Sequence, residues 1–175
     1  MQERLRGLAM PDARVEVVVA GDGPADDVRF LLAANPGSEP QPIAKVASGG
    51  ELSRATLALR LELTAGPPSL VFDEVDAGIG GETAWSVASA LAALAVRHQI
   101  LVVTHLPQVA AFADRQLRVA KAADGTSTTA TVTTLDADGR VEELARMLSG
   151  QPDSEVGREH ALELLEAAAT TRVGS

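Results

Sequence analysis

Ser69-Leu70-Val71-Phe72-Asp73-Glu74, continued by Val75-Asp76-Ala77-Gly78-Ile79-Gly80-Gly81, decides the fold. The run from Ser69 to Phe72 is short and apolar, is preceded by Gly66-Pro67-Pro68, and ends directly in two carboxylates. A run of that length bounded by breakers is a buried strand. Gly78, Gly80 and Gly81 make the turn that follows. Residues 82–97 then place Val87, Ala90, Leu91 and Leu94 on one helical face, and Ile100 to Thr104 is a second apolar strand that ends at His105. Strand, helix, strand is a βαβ unit, so its two strands are expected to be parallel. Neighbouring strands lie about 4.8 Å apart. If these two are neighbours, Asp73, Glu74 and His105 meet at one carboxyl edge, where open α/β sheets bind ligands.

Upstream, residues 14–20 (RVEVVVA) are rich in β-branched residues and read as a strand. Residues 21–27 read as a turn and Val28 to Ala33 as a second strand, a hairpin-like start. Residues 34–47 carry Pro36, Pro40 and Pro42 and read as a loop ending at Ser48-Gly49-Gly50. From Glu51 to about Thr64 the spacing of Leu52, Ala55, Leu59 and Leu63 predicts a helix with one apolar face. Downstream, residues 106–113 read as a short helix, and 115–121 and 127–135 as strands around an Ala-Asp-Gly turn at 123–125. Helices over about 140–149 and 154–168 close the chain. With no internal repeat and no clear linker, residues 1–175 are expected to form a single domain.

A chain of 175 residues, 46% of them hydrophobic, can bury a real core, and with three Phe, one Trp and no Tyr that core must be mainly Ala, Val and Leu. No stretch approaches the roughly 18–20 apolar residues of a membrane span. The start, MQERLRGLAM, is too polar and short for a secretory signal. Having no Cys excludes disulfides and thiolate metal sites. A soluble cytoplasmic protein fits these features. The net charge of −9 has the wrong sign for holding a phosphate backbone by general electrostatics, so any DNA grip is expected elsewhere or in a local basic patch.

A strand ending in two acidic residues suits nucleoside triphosphate hydrolysis. The first carboxylate can hold Mg²⁺ through water and the second can orient or deprotonate the attacking water. Ser48-Gly49-Gly50-Glu51 adds a second phosphate signal, because glycines allow close backbone approach and a helix start presents free N–H groups. Each feature also has an ordinary account. Acidic pairs cap turns, a lone His after a strand is commonly a surface residue, and Ser-Gly-Gly is a common helix start. Arg54, just after that stretch, could meet phosphate or DNA but reads more readily as a surface helix residue. His98 and His160 read as solvated, with no metal site.

Taken in order, the motifs resemble an ABC-type ATPase head. Ser48-Gly49-Gly50-Glu51 is similar to the signature, with Glu where many relatives have Gln. Leu70-Val71-Phe72-Asp73-Glu74 resembles Walker B, Val75-Asp76-Ala77-Gly78 the D-loop, and Thr104-His105 the switch histidine. The strings KVASGGELSR (45–54), VFDEVDAGIGG (71–81), THLPQVAAFAD (104–114) and RVEELARML (140–148) resemble the RecN family, double-strand break repair ATPases related to the structural-maintenance-of-chromosomes (SMC) proteins. Transporter ATPases usually follow the Walker B glutamate with a Pro-Thr-Ser type sequence, whereas Val75-Asp76 follows here.

The resemblance implies an α/β fold, the C-terminal portion of an ABC-type P-loop head, with a largely parallel sheet, flanking helices and the Walker A lobe missing. The chain has no GxxxxGK[ST] and no heptad stretch. Residues 1–8 would be the end of a returning coiled coil and 151–175 a closing helix. It further implies ATP and Mg²⁺ as cofactors, Asp73 as the Mg²⁺ residue, Glu74 polarising water and His105 on the γ-phosphate. Ser48, Gly49, Gly50 and Glu51 would face ATP held by an opposing head, and Asp76 would couple the two sites. The implied partners are a Walker A-bearing N-terminal half or second head, with DNA bound through other parts of the full protein, nucleoid-associated when complete. The alternative is a non-catalytic docking module without ATPase activity of its own.

Overall fold

The computed structural model describes residues 1–175 except 22, 24–26, 46–47, 64–65, 124–127, 152–153 and 174–175, with backbone only at 123 and 173. It forms two compact units, Met1–Thr104 and His105–Ser175.

In the first unit, helix α1 (Gln2–Gly7) is followed by strands β1 (Arg14–Ala20), β2 (Asp27–Ala33) and β3 (Gln41–Pro42), and by a 3-10 turn at Ile43–Lys45. The loop expected over 34–47 therefore contains a short strand and a turn. β1 and β2 pair antiparallel, with Val15 opposite Leu32, Val17 opposite Phe30 and Val19 opposite Val28. Alternation puts these six apolar side chains on one face. Leu32 is buried, but Val17, Val19 and Val28 are 56%, 66% and 52% exposed, so that face is covered at one end only. Most of the turn expected at 21–27 lies outside the described residues.

Helix α2 (Gly49–Glu62) begins at Ser48, whose extended backbone and hydroxyl cap the helix by accepting from the Glu51 amide at 3.4 Å. Its buried residues are Gly50, Arg54, Ala55, Leu57 and Ala58. This corrects the expected Leu52–Ala55–Leu59–Leu63 face, since Leu63 is 39% exposed. Of the expected face Ala55 is buried, while Arg54 lies within the buried stripe and Leu52 and Leu59 are half-buried. Strand β4 (Ser69–Phe72), helix α3 (Gly81–Ala95) and strand β5 (Gln99–Val102) complete the βαβ unit. On α3 the buried residues Ala84, Val87, Ala88, Leu91 and Leu94 recur at helical spacing, while Trp85 is half-buried. α3 packs against α2, α1 and β5. Each fully buried Val or Leu there contributes on the order of 1.5–3 kcal/mol.

β4 and β5 are parallel and pair from Ser69–Gln99 to Phe72–Val102. Phe72 is buried, and Leu70, Ile100 and Val102 are half-buried on the same face. The opposite face carries Val71, Leu101 and Val103, exposed to 69%, 47% and 62%. β5 ends at Val102, two residues short of the expected Thr104. Among the described residues, parallel pairing is confined to this pair, so the expected largely parallel sheet narrows to it.

The second unit contains α4 (Pro107–Ala111), β6 (Leu117–Ala123), β7 (Thr128–Thr134), α5 (Ala137–Ser149) and α6 (Glu155–Val173). β6 and β7 form an antiparallel ribbon with Leu117 opposite Thr134 and Val119 opposite Val132. Leu117, Val119 and Val132 are all more than half exposed. The turn expected at 123–125 falls largely outside the described residues. α5 is capped by Asp136, which accepts from the Gly139 amide at 2.8 Å, and it ends at Gly150 with φ 75°. Leu144 and Ala145 of α5 and Ala161 and Ala168 of α6 are fully or almost fully buried where the two helices pack. Glu143 lies buried under a bidentate pair with Arg146, at 2.9 and 2.6 Å. That pairing holds the Arg146 guanidinium above its usual range.

Candidate functional site

The end of β4 carries the acidic turn. Asp73 is exposed, its Oδ1 accepts from the Glu74 amide at 2.9 Å, and its backbone oxygen accepts from the Ser53 hydroxyl at 2.6 Å. Glu74 is exposed and has φ 56°, in the left-handed region that a residue with a side chain enters at a cost of about 1–2 kcal/mol. That backbone turn directs its carboxylate to the start of α2. A Cβ on Gly49 would overlap Glu74 Oε2 and lie 3.2 Å from its carboxyl carbon. Strand end and helix start are thus in direct proximity, with the carboxylate at the positive end of the helix.

The residues after Glu74 are pinned. Ala77 donates its amide to Glu74 O at 3.0 Å. Val75 is fully buried, and Asp76 is 3% exposed and accepts from the Thr104 hydroxyl. Arg54, expected as a surface residue, is only 6% exposed. Its Nη1 donates to Ala77 O at 2.9 Å and to Val75 O at 3.4 Å, while its Nε has no hydrogen-bond partner. Burial holds this guanidinium below its usual range, with the nearby Glu51 acting in the opposite direction. A Cβ on Gly50 would lie 2.9 Å from Arg54 Nη1, 3.0 Å from Ala77 Cβ and 3.1 Å from Ala77 O, so only glycine fits that position without displacement.

Among the expected site residues, Ser48, Gly49, Gly50, Glu51, Asp73, Glu74 and Asp76 all belong to the first unit. Gly49 and Glu74 come together, and Asp76 is buried beneath the turn. His105 directly follows Thr104, is exposed and is the first residue of the second unit. Sequence reasoning missed Arg54 as part of this assembly and missed Thr104 as the partner of Asp76. A charged residue inside the small-residue stripe at 54–58 was the available signal for the first.

Among the described residues no group of three or more His, Asp or Glu is placed to hold a metal. Asp73 nonetheless fits Mg²⁺, a cation that keeps several waters and takes one or two carboxylates together with substrate phosphates. It is exposed at the strand end, and its Oδ1 is already turned toward its own chain. His98 Nδ1 lies 2.8 Å from Pro67 O, and His160 is exposed on α6.

No family model matches the chain. It is 50% identical to the DNA repair protein RecN of Streptomyces coelicolor over 96% of its length and to that of Deinococcus radiodurans over 92%. These matches cover 33% and 29% of the relatives, so the chain spans about a third of their length. Among solved structures it is similar to the Smc head domain with a coiled coil and joint from Pyrococcus yayanosii, with a TM-score of 0.53, 21% identity and coverage of 96% of this chain and 28% of that one. It is also similar to an Smc head bound to the C-winged helix domain of ScpA, with a TM-score of 0.54, 22% identity and coverage of 78% and 42%. The chain therefore has an α/β fold that matches part of these Smc head structures. No helix among the described residues is long and apolar enough to cross a membrane.

Proposed function

The chain belongs to the RecN family, and on that premise we propose that it supplies the signature, Walker B, D-loop and switch-histidine elements of an ATP-hydrolysing head in recombinational repair of DNA double-strand breaks. The observation that carries this reading is the meeting of Glu74 with Gly49. One fold element ends in the acidic pair suited to water activation, another begins as a phosphate-type helix start, and the two abut.

In this reading Asp73 would hold Mg²⁺, mainly through water, and the bound ion would supply charge neutralisation for the phosphates. Glu74 orients the attacking water and takes its proton. Ser48, Gly49, Gly50 and Glu51 at the start of α2 address the γ-phosphate of ATP held by a second head, using backbone N–H groups and the helix dipole. His105 contacts the γ-phosphate in its own head, and Asp76 couples the paired sites. DNA is held elsewhere in the protein, in keeping with the net charge of −9, and the assembled protein works in the cytoplasm at the nucleoid.

The partner is the Walker A-bearing remainder of the head. Three apolar sheet faces support it, those of Val17, Val19 and Val28, of Val71, Leu101 and Val103, and of Leu117, Val119 and Val132. Parallel sheets in particular are normally covered on both faces.

Mixing the chain with a segment of a relative that carries the GxxxxGK[ST] loop tests the proposal. Phosphate release from Mg·ATP is expected to appear on mixing and to vanish with Glu74→Gln. The chain alone is expected to be inactive, because its sequence has no GxxxxGK[ST] loop to cradle the phosphates of a bound nucleotide. Robust turnover by the chain alone would overturn the half-head reading. A stable complex without turnover would establish the docking module instead.

A further inference from the structure

Arg54 is in an expensive place. A guanidinium that is 6% exposed, with its Nε unpartnered and two backbone oxygens as its acceptors, loses hydration that neutral carbonyls restore only in part. For packing alone, an apolar side chain of similar length would serve α2 better. What the arginine adds is directional. Its two acceptors, Val75 O and Ala77 O, lie on the far side of Glu74, while the preceding residue, Ser53, holds Asp73 O on the near side at 2.6 Å. Two consecutive residues of one helix therefore hold the turn before and after Glu74. Ser48, six residues earlier, caps the same helix, and Nη1 of Arg54 lies behind Gly50. On the other side of the turn, Asp76 is held by Thr104, the residue before His105.

We propose that Arg54 is a positioning residue that couples the start of α2 to the turn carrying Glu74, through the carbonyls of Val75 and Ala77. This rests on the reading of that helix start as the phosphate-facing element. A displacement of α2 when phosphate arrives is then carried as a rigid-body shift to residues 73–77, so that Glu74 leaves or regains its place over Gly49 according to what the helix start has met. A methionine at 54 would keep the packing and remove the link. A lysine would keep the charge and reach one carbonyl.

Amide hydrogen exchange on the 175-residue chain decides it without any turnover. With Arg54→Met, exchange at Ala77 and Ile79, whose amides close the turn onto Glu74 O and Asp76 O, is expected to rise about tenfold or more, with β4 and β5 unchanged. Arg54→Lys is expected to lie between the two, and it remains informative if the methionine variant fails to fold. Unchanged exchange at Ala77 and Ile79, or an equal rise across 69–72 and 99–102, would overturn the proposal, the second outcome meaning a general packing role. In the completed head, Arg54→Met is expected to lower kcat about tenfold with KM for ATP unmoved, and Arg54→Lys to restore part of it. A raised KM with kcat intact would overturn the coupling. If the unsubstituted head shows no turnover, the functional reading has failed, and the exchange result still decides the role of Arg54.

Discussion

Gly49 and Glu74 are fitted to one another, since a methyl group on the glycine would overlap the Oε2 of the glutamate. The obstructing atom is the tip of a flexible, exposed side chain, so the two adjacent glycines of α2 should respond differently to the same change. Gly49→Ala is expected to leave unfolding free energy within about 1 kcal/mol, because better helix propensity offsets a swing of the carboxylate. Gly50→Ala meets the backbone oxygen of Ala77 at 3.1 Å and is expected to cost about 1–3 kcal/mol. Thermal unfolding of the two variants checks this, and equal losses would contradict the contact.

Thr104→Val removes the hydroxyl that donates to the buried Asp76 carboxylate. Such a loss at a buried charged acceptor is expected to cost about 1–3 kcal/mol, where Thr104→Ser should cost under about 1 kcal/mol. Urea unfolding would measure both. A valine variant as stable as the parent would show that the carboxylate does not depend on this donor.

Part of this assembly was readable from the chain and part was not. Ser69–Phe72 emerged as a strand with the expected bounds, because Pro67-Pro68 and the acidic pair leave it no room to extend. Its parallel pairing with the next strand followed from the intervening helix. α2 was located, but its buried side was misjudged, because hydrophobic spacing weighs leucines and cannot anticipate that Arg54 goes inward while Leu63 stays out. Nor does spacing reveal where backbone carbonyls point, and those are what Arg54 meets. The left-handed backbone of Glu74 was equally invisible, since that region is usually occupied by Gly or Asn and nothing in Asp-Glu-Val-Asp announces it. The motifs thus indicated which residues to look at, and the fold showed which of them hold the others.

Replacing Val71, Leu101 and Val103 together by Thr keeps β-branching at two positions and adds it at the third, while removing apolar surface from one exposed sheet face. Stability is expected to change by no more than about 0.5 kcal/mol per site. Self-association of the isolated chain, followed by sedimentation velocity, is expected to fall, and so is affinity for the completing segment. An unchanged sedimentation profile together with unchanged binding would mean that this face meets neither.

Gly150 ends α5 in the left-handed conformation, with its amide donating to Arg146 O at 2.8 Å. Gly150→Ala is expected to cost about 1 kcal/mol, as a Cβ is disfavoured at that φ. Gly150→Asn should cost less, because Asn tolerates that region better. Chemical denaturation of the two variants ranks them, and an alanine variant of full stability would remove the cap from the account of how α5 stops.

Trp85 gives the molecule a private optical signal. It is the sole tryptophan of a chain without tyrosine, and it lies half-buried on α3 of the first unit. Ultraviolet emission therefore arises from within Met1–Thr104, while circular dichroism also sees α5 and α6 of the second unit. Followed side by side during heating, the two signals distinguish one cooperative melt from two. If the curves coincide, the chain melts as one; if they part, the emission curve times the melting of the first unit around α3, and the remainder belongs to the second unit.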